Sequence, residues 1–150
     1  GAGCAARMLV RGGMPCGGAS GAPSAEEVEK AKYRLHAGFS FVGITEQWEL
    51  SMCLFSKMFK VDCHPLQFTD ARPGFDKALG LEEYPEELLG GYRDPYDDQV
   101  YAEALSIFEE AVKLYNVSEA SCGHCFEQAG VSLASTRVRV LRDNHTDGQH

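Results

Sequence analysis

Cys122 and Cys125 stand two residues apart and enclose Gly123 and His124. Two thiols at that spacing can exchange with a substrate disulfide or lend thiolates to a metal. Exchange needs a thiolate of lowered pKa, which a helix N-terminus supplies. Zinc needs four ligands. Cys122, Cys125, His124 and a distant His make such a set on paper, but no second C-x-x-C accompanies them. A local disulfide or a pair of free thiols is the plain alternative. His36 and His64 stand singly and read as solvated or structural. Gly12 to Gly18 is Gly-rich, but it has no Lys and no preceding strand, so it reads as loop rather than as a phosphate cradle.

Four more cysteines bring the total to six in 150 residues. Cys4 and Cys16 flank the Gly-rich loop, and Cys53 and Cys63 flank a helix end. An even number suits an oxidising lumen, but pairing cannot be read from spacing. Cys53 falls on an apolar helix face, where a buried free thiol is the expected state.

The elements that must position these groups follow from periodicity. Residues 1 to 11 read as the end of a helix or strand, with Met8, Leu9 and Val10 as its apolar part. Ser24-Ala25-Glu26-Glu27 is a capping box that opens a helix to about His36, with Val28, Ala31 and Leu35 as its apolar stripe. Phe39 to Val42 is rich in sheet-forming residues and predicts a short buried strand, ended by Gly43. Thr45 and Glu46 read as helix-start residues. Trp48, Met52, Phe55 and Phe59 then recur at helical spacing, with Cys53, Leu54 and Met58 beside them. Val61 to Cys63 suggests another short strand. Asp94 and Pro95 open the last strong helix, in which Val100, Ala104, Phe108, Ala111 and Tyr115 recur. Beyond Val117 the periodic signal fades. Thr136 to Val140 alternates like a strand, and Asp143 to His150 reads as a disordered tail.

The length suits about one domain. A formal charge of −8 argues against a general nucleic-acid binder. Leu81 to Glu110 concentrates the acidic residues and reads as a solvated face, while Arg137, Arg139 and Arg142 cluster near the end. No stretch is apolar enough for a membrane span. The opening Gly-Ala-Gly-Cys has neither Met nor the pattern of a signal peptide, so the chain reads as a fragment.

Four segments, in order, carry a family resemblance. Phe41-Val42-Gly43-Ile44-Thr45-Glu46 resembles the Phe-Val-Gly-Leu-Thr-Glu strand–turn–helix of Golgi carbohydrate sulfotransferases, chiefly the heparan sulfate 6-O-sulfotransferase-like branch and its algal and protist relatives. Cys4 to Leu9 resembles a Cys-Gln-Thr-Lys/Arg-Met-Leu segment upstream. Thr69 to Gly74 resembles an Arg-Pro-Gly loop downstream. Asp97 to Tyr101, with Ala104 and Phe108, resembles the terminal helix. The resemblance covers roughly Cys4 to Tyr115.

It implies an α/β fold, the C-terminal part of a P-loop-like sulfotransferase domain, with the Phe39 strand in a mostly parallel sheet. Residues 1–117 would be that portion, and residues 118–150 a Cys-containing extension and tail. The full-length protein would move sulfate from phosphoadenosine phosphosulfate to a carbohydrate hydroxyl, on a glycosaminoglycan-like acceptor, in the Golgi lumen and behind a membrane anchor. The donor's P-loop and the catalytic base would lie outside this chain, which alone would not turn over. The donor-binding residues implied here are Thr69, Arg72 and Gly74: a phosphate-facing guanidinium beside a hydroxyl and a backbone N–H. Asp70 would repel a phosphate there, and a surface Arg in a Pro-Gly turn is the plain alternative. Arg7 sits where the family has a basic residue, but Ala5-Ala6 replaces its Gln-Thr. Cys-Gly-His-Cys is also the active-site tetrapeptide of protein disulfide isomerases, which makes a small thiol–disulfide redox protein the runner-up. Ser121 stands where that family has Trp. A non-catalytic binding module that keeps only the sulfotransferase shape is the third reading.

Overall fold

A computed structural model of the chain describes residues 2–13, 15–16, 21–69 and 90–131. The chain forms two compact units: Gly1–Val42 with Asp70–Ile107, and Gly43–Thr69 with Phe108–His150.

The first unit holds helices α1 (Cys4–Val10) and α2 (Ala25–Gly38), and the opening turns of α4 (Asp97–Leu114). Its core is Ala6, Val28, Ala31, Leu35 and Val100, with Leu9, Val10, Tyr96, Ala104 and Ile107 packed on it. Ala6 and Ala31 are fully buried, and side chains this small let helix backbones approach closely. The capping box of α2 is complete. Glu27 N–H donates to Ser24 Oγ at 3.2 Å, and Ser24 N–H donates to Glu27 Oε2 at 2.9 Å. The stripe of Val28, Ala31 and Leu35 is buried as its spacing predicts.

Helix α1 has seven residues, too short to persist on its own. Its free amides are met by carboxylates from the start of α4. Asp94 Oδ2 accepts from Gly3 N–H at 2.6 Å, and Asp97 accepts from Ala5 and Ala6 at 3.0 and 2.9 Å. Asp94 Oδ1 also accepts from the amides of Tyr96 and Asp97, both at 3.1 Å, so one carboxylate serves two helix starts. Burial pushes the Asp94 carboxyl up, but these amides outweigh it and hold its pKa below the ordinary value. Gly3 itself has φ +71°, and a Cβ there would run into the Pro23 ring.

The second unit holds a 3-10 turn (Thr45–Gln47), α3 (Trp48–Phe59), a second 3-10 turn (Pro65–Phe68), the last turns of α4, and α5 (Gly123–Ala129). Leu54, Phe108 and Phe126 are its largest fully buried apolar side chains. Burying a side chain of this size contributes about 2–3 kcal/mol each. Phe126 also meets Phe68 edge-on, with ring centroids 6.2 Å apart. Helix α3 ends at Phe59 on Lys60 in the left-handed conformation, φ 54°.

The α/β expectation is overturned. Among the described residues there is no β-strand and no sheet. Phe39 is indeed extended, with φ −122° and ψ 131°, and so is Ile44. Backbone of that shape becomes a strand only beside a second one, and none is present among the described residues. The buried hydroxyl of Ser51 serves Ile44 instead: it accepts from Ile44 N–H at 2.9 Å and donates to its carbonyl at 3.1 Å. Val61 to Cys63 is irregular as well. Residues 136–140 and 143–150, expected as strand and tail, lie outside the described residues.

The aromatic stripe of α3 is also placed differently. The buried residues are Ser51, Cys53, Leu54 and Ser56, whereas Trp48 and Phe59 are exposed. Small side chains and sulfur face the interior, for a reason that lies in the cysteine pairing.

Candidate functional site

Cys122 is the residue just before α5, so the Cys-Gly-His-Cys segment does lie at a helix start, where exchange chemistry would want it. The turn before it is built by serines. Ser118 N–H donates to Ser121 Oγ at 2.9 Å, and Ser121 N–H donates to Ser118 Oγ at 3.0 Å. The Lys57 ammonium binds this turn from α3, donating to the Asn116 carbonyl at 2.8 Å and to Ser121 Oγ at 2.9 Å. Lys57 is thereby engaged in holding the turn that presents Cys122.

Both sulfurs of the segment are taken, and not by each other. Cys122 is bonded to Cys53 of α3, with Cα atoms 6.0 Å apart, and Cys125 to Cys63, with Cα atoms 5.1 Å apart. Cys53 is therefore not the free thiol its apolar surroundings suggest. Cys4 and Cys16 form the third disulfide, and no cysteine is free. The four cysteines of the second unit are all buried, Cys122 completely and Cys125 with 9 % of its surface exposed. A thiolate must reach a sulfur in line to exchange with it, so buried disulfides resist attack. Sulfur in a disulfide is not a thiolate either, which leaves His124 without the partners a zinc site would need. Among the described residues no cluster of three or more His, Cys, Asp or Glu is placed to hold a metal.

Beside these two disulfides lies an open cleft of about 180 Å³, bordered by Lys57, Asp62, His124 and Gln128. Its floor is disulfide and serine: the Ser56 hydroxyl is 3.2 Å from Cys63 Sγ, and Cys63 N–H donates to Gln128 Oε1 at 3.4 Å. Its rim carries both charge signs, Lys57 and Asp62, with the exposed His124 between the disulfide-bonded Cys122 and Cys125. The cleft is too small for a nucleotide, since small-molecule sites run to about 300–1,000 Å³.

Of the three implied donor-binding residues, only Thr69 is described; Arg72 and Gly74 lie outside the described residues. Thr69 closes the second 3-10 turn. Its hydroxyl donates to the Pro65 carbonyl at 3.1 Å and its N–H to Leu66 O at 3.4 Å. Arg7 does not face a substrate. It is buried within the first unit, where Nε donates to Gly3 O at 3.2 Å and a terminal nitrogen to Gly21 O at 2.9 Å. Arg11 forks onto Glu27 at 2.6 and 2.7 Å and also reaches the carbonyls of Gly21 and Ala22. The Arg11 fork and the Ser24 amide hold the Glu27 carboxyl down at about 2. His64 caps the second 3-10 turn, its Nδ1 accepting from Leu66 N–H at 3.2 Å, and His36 pairs with Glu103 on the first unit's surface.

Helix α5 and the disulfide partners were not legible in the sequence. One signal for α5 was there: Gly130 stands at its end with φ 66°, a left-handed helix stop. No helix among the described residues is long and apolar enough to cross a membrane. No protein-family model, no curated protein and no solved structure matches this chain.

Proposed function

We propose that this chain is a disulfide-stapled helical module that works in an oxidising compartment as a structural and binding part rather than as an exchange catalyst. One observation carries this: all six cysteines are paired, and they pair between distant segments, 12, 69 and 62 residues apart. Bonds of that reach persist where the redox poise is oxidising. Burial of the four cysteines in the second unit favours a staple over a redox centre. Alkylating the unfolded, unreduced protein tests the proposal. Absence of any alkyl label, with three linked peptide pairs in the digest, is the expected result. Six labels without reductant would overturn it.

Sulfate transfer is the second reading, and the order of its four resembling segments supports it. The parallel sheet on which that activity was expected to stand is absent among the described residues. Binding of the desulfated donor nucleotide to a chain extended at its N-terminus tests it, with Arg72→Ala as the comparison. Affinity unchanged by that substitution would remove Arg72 from the donor site.

A further inference from the structure

The three disulfides are not alike, and the difference lies in access. In the second unit the paired residues are all buried. In the first unit Cys16 is exposed and Cys4 only half-buried. Attack on a disulfide needs a thiolate to approach one sulfur along the bond, so exposure decides which bond is open to exchange.

What surrounds the first bond bears on what its opening would do. The amides at the start of α1 are held by Asp94 and Asp97 and do not depend on the bond at Cys4. The chain after the loop is held at Gly21, whose carbonyl accepts from both Arg7 and Arg11, and Arg11 is itself fixed to Glu27. The loop is thus closed twice, once by sulfur and once by guanidinium. Breaking the sulfur link leaves the second closure and the core of Ala6, Val28 and Ala31 in place.

We propose that Cys4–Cys16 is a site of thiol–disulfide exchange for small thiols of the glutathione class, and that it opens while the other two disulfides stay closed. This rests on the oxidised state proposed above. The thiolate attacks Cys16 Sγ, the S–S bond breaks, and Cys4 leaves as a thiolate that takes a proton from water. The product is a mixed disulfide on Cys16. A second thiolate can attack the small thiol's sulfur and release Cys16. In sum, two small thiols are oxidised to one disulfide and one protein disulfide is reduced.

The test is incubation of the native chain with graded reduced glutathione, then trapping with N-ethylmaleimide and peptide mapping. Modification at Cys4 and Cys16 should run at least about tenfold faster than at any other cysteine, with glutathione on Cys16 and the helical circular dichroism unchanged. Labelling of Cys53, Cys63, Cys122 or Cys125 at a comparable rate would overturn the inference, as would loss of helix when Cys4–Cys16 opens. Glutathione found only on Cys4 would overturn the choice of attacked sulfur. Labels on all six without added thiol would overturn the oxidised module itself, so the two failures are distinguishable. The double variant Cys4→Ser, Cys16→Ser serves as control. It should keep its helix and take no label in the same interval; an unfolded variant would also count against the inference.

Discussion

Removing the two disulfides of the second unit should cost unequal amounts in sequence, because their loops overlap over most of their length. Cys53 and Cys122 are 69 residues apart and Cys63 and Cys125 are 62 apart; the second span starts inside the first and ends just beyond it. Alone, either bond would restrict the unfolded chain by about 4 kcal/mol in the loop-entropy account. Together they are not independent. Once one is closed, the other closes a ring of only about 13 residues, from Cys53 to Cys63 and from Cys122 to Cys125, worth about 3 kcal/mol. Replacing one pair by alanines should therefore cost about 3 kcal/mol, and replacing both about 7 kcal/mol. The second removal is the dearer one, whichever pair goes first. Trp48 is the single tryptophan and lies in this unit, with Nε1–H donating to Gln67 O at 2.7 Å, so urea unfolding followed by its fluorescence reads the unit directly. A second removal that costs no more than the first would refute the overlapping pairing. A first removal costing under about 1 kcal/mol would refute the disulfides as staples.

Three further outcomes follow from single contacts. Glu27 has its carboxyl held at about 2 by Arg11 and the Ser24 amide, so it stabilises the fold above its ordinary range and loses that as pH falls from about 5 toward 2; the first unit's urea midpoint should drop across that window, and less in Glu27→Gln. Asp94→Ala removes acceptors from the starts of α1 and α4 and should cost about 2 kcal/mol in helix unfolding followed by circular dichroism. Ser51→Ala leaves the Ile44 N–H without its buried acceptor, while the Ile44 carbonyl keeps the Gln47 N–H, and should cost about 1–3 kcal/mol by Trp48 fluorescence.

The helices were legible where the signal is local. The Ser24 box, the stripe of Val28, Ala31 and Leu35, and the end of α3 at Phe59 need only neighbours within a turn or two, and each stands where its pattern put it. The start of α4 was read at Asp94 and Pro95; the helix begins at Asp97, with Asp94 as acceptor for the amides just inside. The strand at Phe39 failed because strand propensity describes a residue's fit to a sheet, and a sheet is a fact about other segments. The disulfides failed for the same reason: six cysteines allow fifteen pairings. The buried side of α3 turned on them too. Apolar periodicity favoured the Trp48 stripe, whereas the covalent bond from Cys53 to Cys122 holds Cys53 inward and the hydrogen bonds to Ile44 hold Ser51. Of the candidate site, the Cys-Gly-His-Cys segment was visible at once, but its chemical state depends on Cys53 and Cys63, far away in sequence.

The carboxylates that serve α1 have a consequence for the order in which the chain assembles. Gly3, Ala5 and Ala6 wait for acceptors 91 or 92 residues downstream. A growing chain makes α1 well before α4, and until then the amides at its start lack their acceptors. α2, with its own capping box, can form early. α1 becomes permanent only when Asp94 and Asp97 arrive, so it is made before α2 yet completed after it. Its amides should gain protection from hydrogen exchange together with those at the start of α4, and later than those of α2.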